Sequence, residues 1–205
     1  RTAAERIPGA ARRANDAADP QAADALAEHV RDTLGGLDIL VLNAGITPFG
    51  PPETFDAPRI DALLAANLRG PWLQLRALDA RLNDGASVQA VGSISGSKSG
   101  PANALYGASK AALSLWIRAL AAQYGPRGIR LNVVSPGPVD TPAWSKTGLP
   151  DETVAQIKAS RAAAMPAGRY GRPEEIAEVV AFLASPAAAF VNGADLLVDG
   201  GMLAA

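Results

Sequence analysis

The feature that most limits how this chain can fold is a recurring pair: a short apolar run closed by asparagine, glycine or proline, followed by a stretch of helical periodicity. Leu37-Asp38-Ile39-Leu40-Val41-Leu42 ends at Asn43-Ala44-Gly45 and reads as a strand buried on both faces that stops in a turn. Ser87-Val88-Gln89-Ala90-Val91-Gly92 runs into a Ser/Gly loop, and Ile129-Arg130-Leu131-Asn132-Val133-Val134 stops at Pro136-Gly137-Pro138. Between them lie helical patterns from Asp56 to Asn83, irregular near Gly70-Pro71, and from Tyr106 to Tyr124, ended by Gly125-Pro126. A helix from Asp24 to Leu34 precedes these, and one from Pro173 to Leu183 and a strand from Asp195 to Val198 follow. Strands that alternate with helices pair in parallel, so the expected fold is α/β with a doubly wound parallel sheet.

Composition narrows the chemistry. The chain has 205 residues, a length that suits one domain. Nineteen basic residues against twenty acidic ones leave a net charge of -1, with no basic block, which argues against nucleic-acid binding. Cysteine is absent and His29 is the single histidine, so disulfides, thiolate nucleophiles and multi-histidine metal cages are excluded and no metal is expected. Any catalysis falls to hydroxyls, carboxylates, amides or lysine. No apolar run approaches the roughly 18 residues that span a bilayer. The reading is a cytoplasmic protein without a membrane partner.

In an open parallel sheet, ligands bind beyond the carboxyl ends of the strands. Asn43-Ala44-Gly45, Ser93-Ile94-Ser95-Gly96 and Pro136-Gly137-Pro138-Val139-Asp140-Thr141 all fall there. So does the start of the helix carrying Tyr106-Gly107-Ala108-Ser109-Lys110. A phenol and an ammonium four residues apart share one helical face. At an effective dielectric of about 20, an ammonium about 4 Å from a phenolate stabilises it by roughly 4 kcal/mol, enough to suit a phenol to acid-base work near neutrality. Taken singly, each element also has an ordinary reading, as a turn, a flexible loop, a helix-breaking connector or a snorkelling surface pair.

Together the elements resemble the short-chain dehydrogenase/reductase family, from about Asn15 to Gly201. The signals are Asn15-Asp16, Asn43-Ala44-Gly45, Asn67 in Ala66-Asn67-Leu68, Ser93 thirteen residues before Tyr106, Tyr106-x-x-x-Lys110, and Pro136-Gly137 with Thr141. The resemblance implies a Rossmann-like fold and an NAD- or NADP-dependent oxidoreductase that interconverts a carbonyl and an alcohol. It implies four catalytic residues: Tyr106 as general acid/base, Ser93 on the substrate oxygen, Lys110 on Tyr106 and the nicotinamide ribose, and Asn67 holding a relay water. It further implies cofactor contacts from Asp16, Asn43, Ala44, Gly45, Tyr106, Lys110, Pro136, Gly137, Val139 and Thr141. Homodimers or homotetramers, built through the Asn67 and Tyr106 helices, are the family's usual assemblies.

Four further expectations follow. The glycine-rich phosphate loop of the family has no counterpart here, and Arg1 to Ile7 and Ala11 to Asn15 resemble the helix after the second strand and the third strand. The family's sheet order, 3-2-1-4-5-6-7, then implies an incomplete N-terminal β-α-β unit, exposed strand edges and a parent chain of about 240 to 250 residues. Arg1 stands near the point that discriminates NAD from NADP. The segment over about 142–168, with a short helix from Asp151 to Ala164, reads as a substrate lid on a single domain spanning 1–205. Phe49, Trp72, Trp144 and Met165 are candidate apolar walls for the substrate, and each reads at least as well as ordinary core or interface packing.

A second reading keeps the fold without turnover. Gly92-Ser93-Ile94, Pro136-Gly137-Pro138 and Tyr170-Gly171-Arg172-Pro173-Glu174-Glu175 resemble a bacterial branch of the family described as binding cyclic di-GMP. The intact Ser93, Tyr106 and Lys110 set favours the enzyme.

Overall fold

The computed structural model describes residues 9–48, 50–141 and 150–204. Four strands form one parallel sheet in the order β1-β2-β3-β4: β1 (Leu37–Leu42), β2 (Leu82–Val91), β3 (Arg130–Pro136) and β4 (Asp195–Val198). All four carboxyl ends therefore lie along one edge. Strand β2 begins five residues before the apolar run predicts, because its pairing with β1 is irregular between Leu37 and Ile39 and Gly85 takes a φ of 82°.

Helices α1 (Ala22–Thr33) and α4 (Ala104–Tyr124) flank the sheet together with a composite helix. That composite runs through α2 (Ala57–Leu64), a π turn (Ala65–Arg69) and α3 (Gly70–Leu78). Asp56 caps α2 by accepting from Arg59 N at 3.0 Å. The irregularity expected at Gly70-Pro71 is the π turn just before it. Pro71 has no N–H to offer the carbonyl four residues back, which belongs to Asn67, so the helix widens there instead of breaking.

The core is the interface of α4 with the sheet, where Leu113, Ile117 and Ala121 pack on Val88, Ala90, Leu131 and Val133. On the opposite face, α6 (Pro173–Ala184) covers β2 and β3 through Leu183 against Val134. Arg172 N donates to Glu175 Oε2 at 2.7 Å to start α6, and the neighbouring Arg169 and Arg172 hold the Glu175 carboxyl down to about 2.

Two expectations are corrected. Strand β1 is not buried on both faces: Ile39 is 51% and Val41 42% exposed, since α6 packs on β2 and β3 and does not cover this edge of the sheet. Ala11 to Asn15 is not a strand, because no neighbour among the described residues offers it a ladder. The expected Arg1 to Ile7 helix lies outside the described residues. No helix among the described residues is long and apolar enough to cross a membrane.

Candidate active site

Asn67 sits in the π turn with no exposed surface. Its Oδ1 accepts from Ile46 N at 2.8 Å, and its Nδ2 donates to Ile46 O at 2.9 Å and to Ser109 Oγ at 3.2 Å. The Asn67 amide thus pins the chain just after the exposed Asn43-Ala44-Gly45 turn. Pro71, four residues on, has no N–H to give the Asn67 carbonyl an α-helical partner.

Lys110 is 5% exposed and donates its ammonium to Val91 O, at the end of β2, at 2.8 Å. Burial lowers its pKa from 10.5 to about 8. The same nitrogen stands over the Tyr106 ring, 5.9 Å from its centre. Gly45 completes the group: a β-carbon placed there would lie 3.1 Å from Asn67 Oδ1 and 3.5 Å from Lys110 Nζ. Its missing side chain leaves a cradle walled by an amide oxygen and an ammonium, which suits the hydroxyl groups of a ribose. Tyr106, Lys110 and the exposed Asn43-Ala44-Gly45 turn therefore fit a nicotinamide dinucleotide.

Ser93 follows β2, and its Oγ accepts from Ser95 N at 3.1 Å. That bond uses a lone pair and leaves the hydroxyl proton available to a substrate oxygen. The turn it opens, Ile94–Gly96, packs directly on α4. A β-carbon on Gly107 would stand 2.5 Å from Ser95 O, and one on Gly96 would stand 2.9 Å from Ala111 N. Gly107 lies inside the Tyr106 motif and was not recognised as functional from the sequence. The tight helix-turn approach that makes it necessary is a tertiary contact with no local signature.

The other predicted cofactor residues have contacts of their own. Asp16 accepts from Ala18 N at 2.9 Å, and its turn is fastened to α3 by Gln74 donating to Asn15 Oδ1 at 2.9 Å. Pro136 ends β3, and just after it Gly137 N donates to Val198 O at 3.0 Å and a Gly137 β-carbon would lie 2.7 Å from Asp199 Cα. This glycine permits a close approach between the segments that follow β3 and β4. Val139 is held to Gly171 by a parallel bridge, and Asp140 N donates to Gly171 O at 2.9 Å. Thr141 is the last described residue of that connection.

An apolar cavity of about 360 Å³ lies between the segments that follow β1 and β2, lined by Pro52, Phe55, Ile60, Pro101, Ala104 and Leu105. Of the side chains expected as substrate walls, Trp72 and Met165 are not among those lining it. Trp72 stacks on Trp116 with ring centres 4.7 Å apart. Met165 is buried, with its Cε 3.6 Å from the β-carbon position of Gly200. Phe49 and Trp144 lie outside the described residues, as does Arg1.

A family model described as enoyl-(acyl carrier protein) reductase matches residues 1–203. The chain is 41% identical to 2-(S)-hydroxypropyl-CoM dehydrogenase 3 of Xanthobacter autotrophicus over 190 residues, covering 92% of this chain and 73% of that protein. It is 40% identical over 178 residues to the cyclic-di-GMP-binding biofilm dispersal mediator protein of Escherichia coli, covering 86% of this chain and 72% of that protein. Among solved structures it superposes with a TM-score of 0.83 on a blue fluorescent protein from a metagenomic library in complex with NADPH, at 36% identity, over 92% of this chain and 74% of that one. The fold, the Tyr106 and Lys110 pair, the Asn67 tether and these relatives together place the chain in the short-chain dehydrogenase/reductase family.

Proposed function

We propose that this protein is an NAD(P)-dependent oxidoreductase that interconverts a carbonyl and an alcohol, with Tyr106 as general acid in reduction and general base in oxidation. The observation that carries the reading is the convergence of the Lys110 ammonium on the Tyr106 ring, the Asn67 oxygen and the open side of Gly45. When bound, the nicotinamide supplies or accepts the hydride. The Ser93 hydroxyl orients the substrate oxygen, and the Tyr106 hydroxyl gives it a proton as negative charge develops there. Lys110 stands over the Tyr106 ring and reaches the ribose.

The apolar cavity beside Leu105 supports a small alcohol or ketone with an apolar group as substrate. The lid expected from the sequence over about 142–168 is described from residue 150 on. Lys158 on α5 (Asp151–Ala163) pairs with Asp140 at 2.5 Å and so joins this segment to the loop carrying Val139 and Thr141. A homodimer or homotetramer is supported by the exposed Trp72 stacked on Trp116 across α3 and α4. A cytoplasmic location accords with use of the nicotinamide pool.

The relative named for cyclic di-GMP binding supports a second reading, a regulator that binds a nucleotide without turnover. It gives no reason to bury a lysine beside a tyrosine, which is why the enzyme is preferred. Titration with NADH, NADPH and cyclic di-GMP, followed through the three tryptophans, separates the two. Saturable quenching by a dinucleotide, with oxidation of the reduced form by cyclohexanone, is expected. Saturation by cyclic di-GMP alone would overturn the reading.

A further inference from the structure

Ser109 lies between Tyr106 and Lys110 and has no part in the chemistry described above. It is fully buried. Its Oγ donates to the Tyr106 carbonyl at 2.7 Å and accepts from Asn67 Nδ2 at 3.2 Å. A hydroxyl has one proton, and with that proton on the Tyr106 carbonyl only lone pairs face Asn67. Asn67 must therefore present its amide nitrogen to α4 and keep Oδ1 for Ile46 N and the open side of Gly45. The result is an unbroken path of hydrogen bonds: the Ile46 backbone, the Asn67 amide, the Ser109 hydroxyl and the Tyr106 carbonyl.

That last carbonyl is also the one whose α-helical partner is Lys110 N, four residues on. A serine bonded back to the carbonyl three residues earlier shares that acceptor and adjusts the local helix geometry. The first turn of α4, which spaces the phenol from the ammonium, is thus tied to the turn after β1.

We propose that Ser109 is a positioning residue, which acts through Asn67 to hold the Tyr106 and Lys110 helix in register with the Gly45-Ile46 segment of the cofactor cradle. This rests on the oxidoreductase reading for its consequence in turnover, but the register itself is a property of the free protein. Ser109→Ala removes both bonds and leaves the Asn67 amide short of one acceptor. Ser109→Thr keeps the hydroxyl and tests rescue.

Two measurements decide. The first is titration of the Lys110 ε-carbon by NMR in the free protein, where the ammonium faces the Tyr106 ring and the Val91 carbonyl. In Ser109→Ala the loosened cradle admits water, so the midpoint rises by about half a unit or more, and Ser109→Thr restores it. The second is kinetic: Ser109→Ala lowers kcat about tenfold with the dinucleotide Kd changed less than about threefold, and Ser109→Thr recovers most of kcat. An unchanged Lys110 midpoint in Ser109→Ala overturns the proposal, whether or not the protein turns anything over. A wild type that neither binds dinucleotide nor turns over overturns the oxidoreductase reading instead, and leaves the NMR result to judge Ser109.

Discussion

Lys110 Nζ donates to the carbonyl of Val91 at 2.8 Å, which fastens a cation on α4 to the last residue of β2. The bond puts a charge where water scarcely reaches, and the lysine answers with a pKa lowered to about 8. Three consequences follow for pH, stability and backbone fit.

If Lys110 must carry its proton to serve Tyr106 and the ribose, activity is retained below about pH 8 and lost as pH rises through that value. The pH profile of kcat/KM reports groups of the free enzyme, so its alkaline limb should bend near 8 and fall about tenfold per unit beyond. Lys110→Arg, whose guanidinium does not titrate in this range, should have low activity without that bend.

The same burial costs stability. The folded pKa of about 8 lies below the ordinary lysine value of 10.5, so between these values the unfolded chain binds more protons and stability rises with pH. Below about 8 the penalty is present in full, on the order of 3 kcal/mol. Lys110→Met removes it but orphans the Val91 carbonyl, which costs about 1 to 2 kcal/mol. Urea denaturation at pH 7 should therefore find the inactive variant more stable than wild type by about 1 to 2 kcal/mol, and the difference should shrink above pH 9.

Gly107 and Gly45 should respond differently to alanine. At Gly107 the new carbon meets the Ser95 carbonyl at 2.5 Å, backbone against backbone. Gly107→Ala should cost about 1 to 3 kcal/mol in denaturation and lower kcat by shifting Ser93. At Gly45 the nearest atoms, 3.1 and 3.5 Å away, are ends of side chains. Gly45→Ala should fold with stability near that of wild type, while its dinucleotide Kd rises about tenfold or more because the cradle is filled.

The sequence made the strands legible because apolar runs and their Gly/Pro stops are local. Leu37–Leu42 and Asp195–Val198 appear with the predicted bounds. It could not show that β1 would be half exposed, since that depends on where α6 lands. Tyr106, Lys110 and Asn67 were legible as a spacing, and the meeting of the last two around Gly45 is what the fold adds. Ser109 and Gly107 escaped notice for one reason: a small residue in a helix carries no signal until the partner it touches is known. Trp72 reads equally as pocket wall or packing in the sequence, because a large aromatic suits both, and the fold stacks it on Trp116.

The central claim is that Tyr106 moves the proton while the cofactor site stands independently of its hydroxyl. Steady-state turnover and dinucleotide titration of Tyr106→Phe test both halves at once. The account predicts a fall in kcat of about 10² to 10⁴ with the dinucleotide Kd within about twofold of wild type. Undiminished turnover in Tyr106→Phe would contradict it.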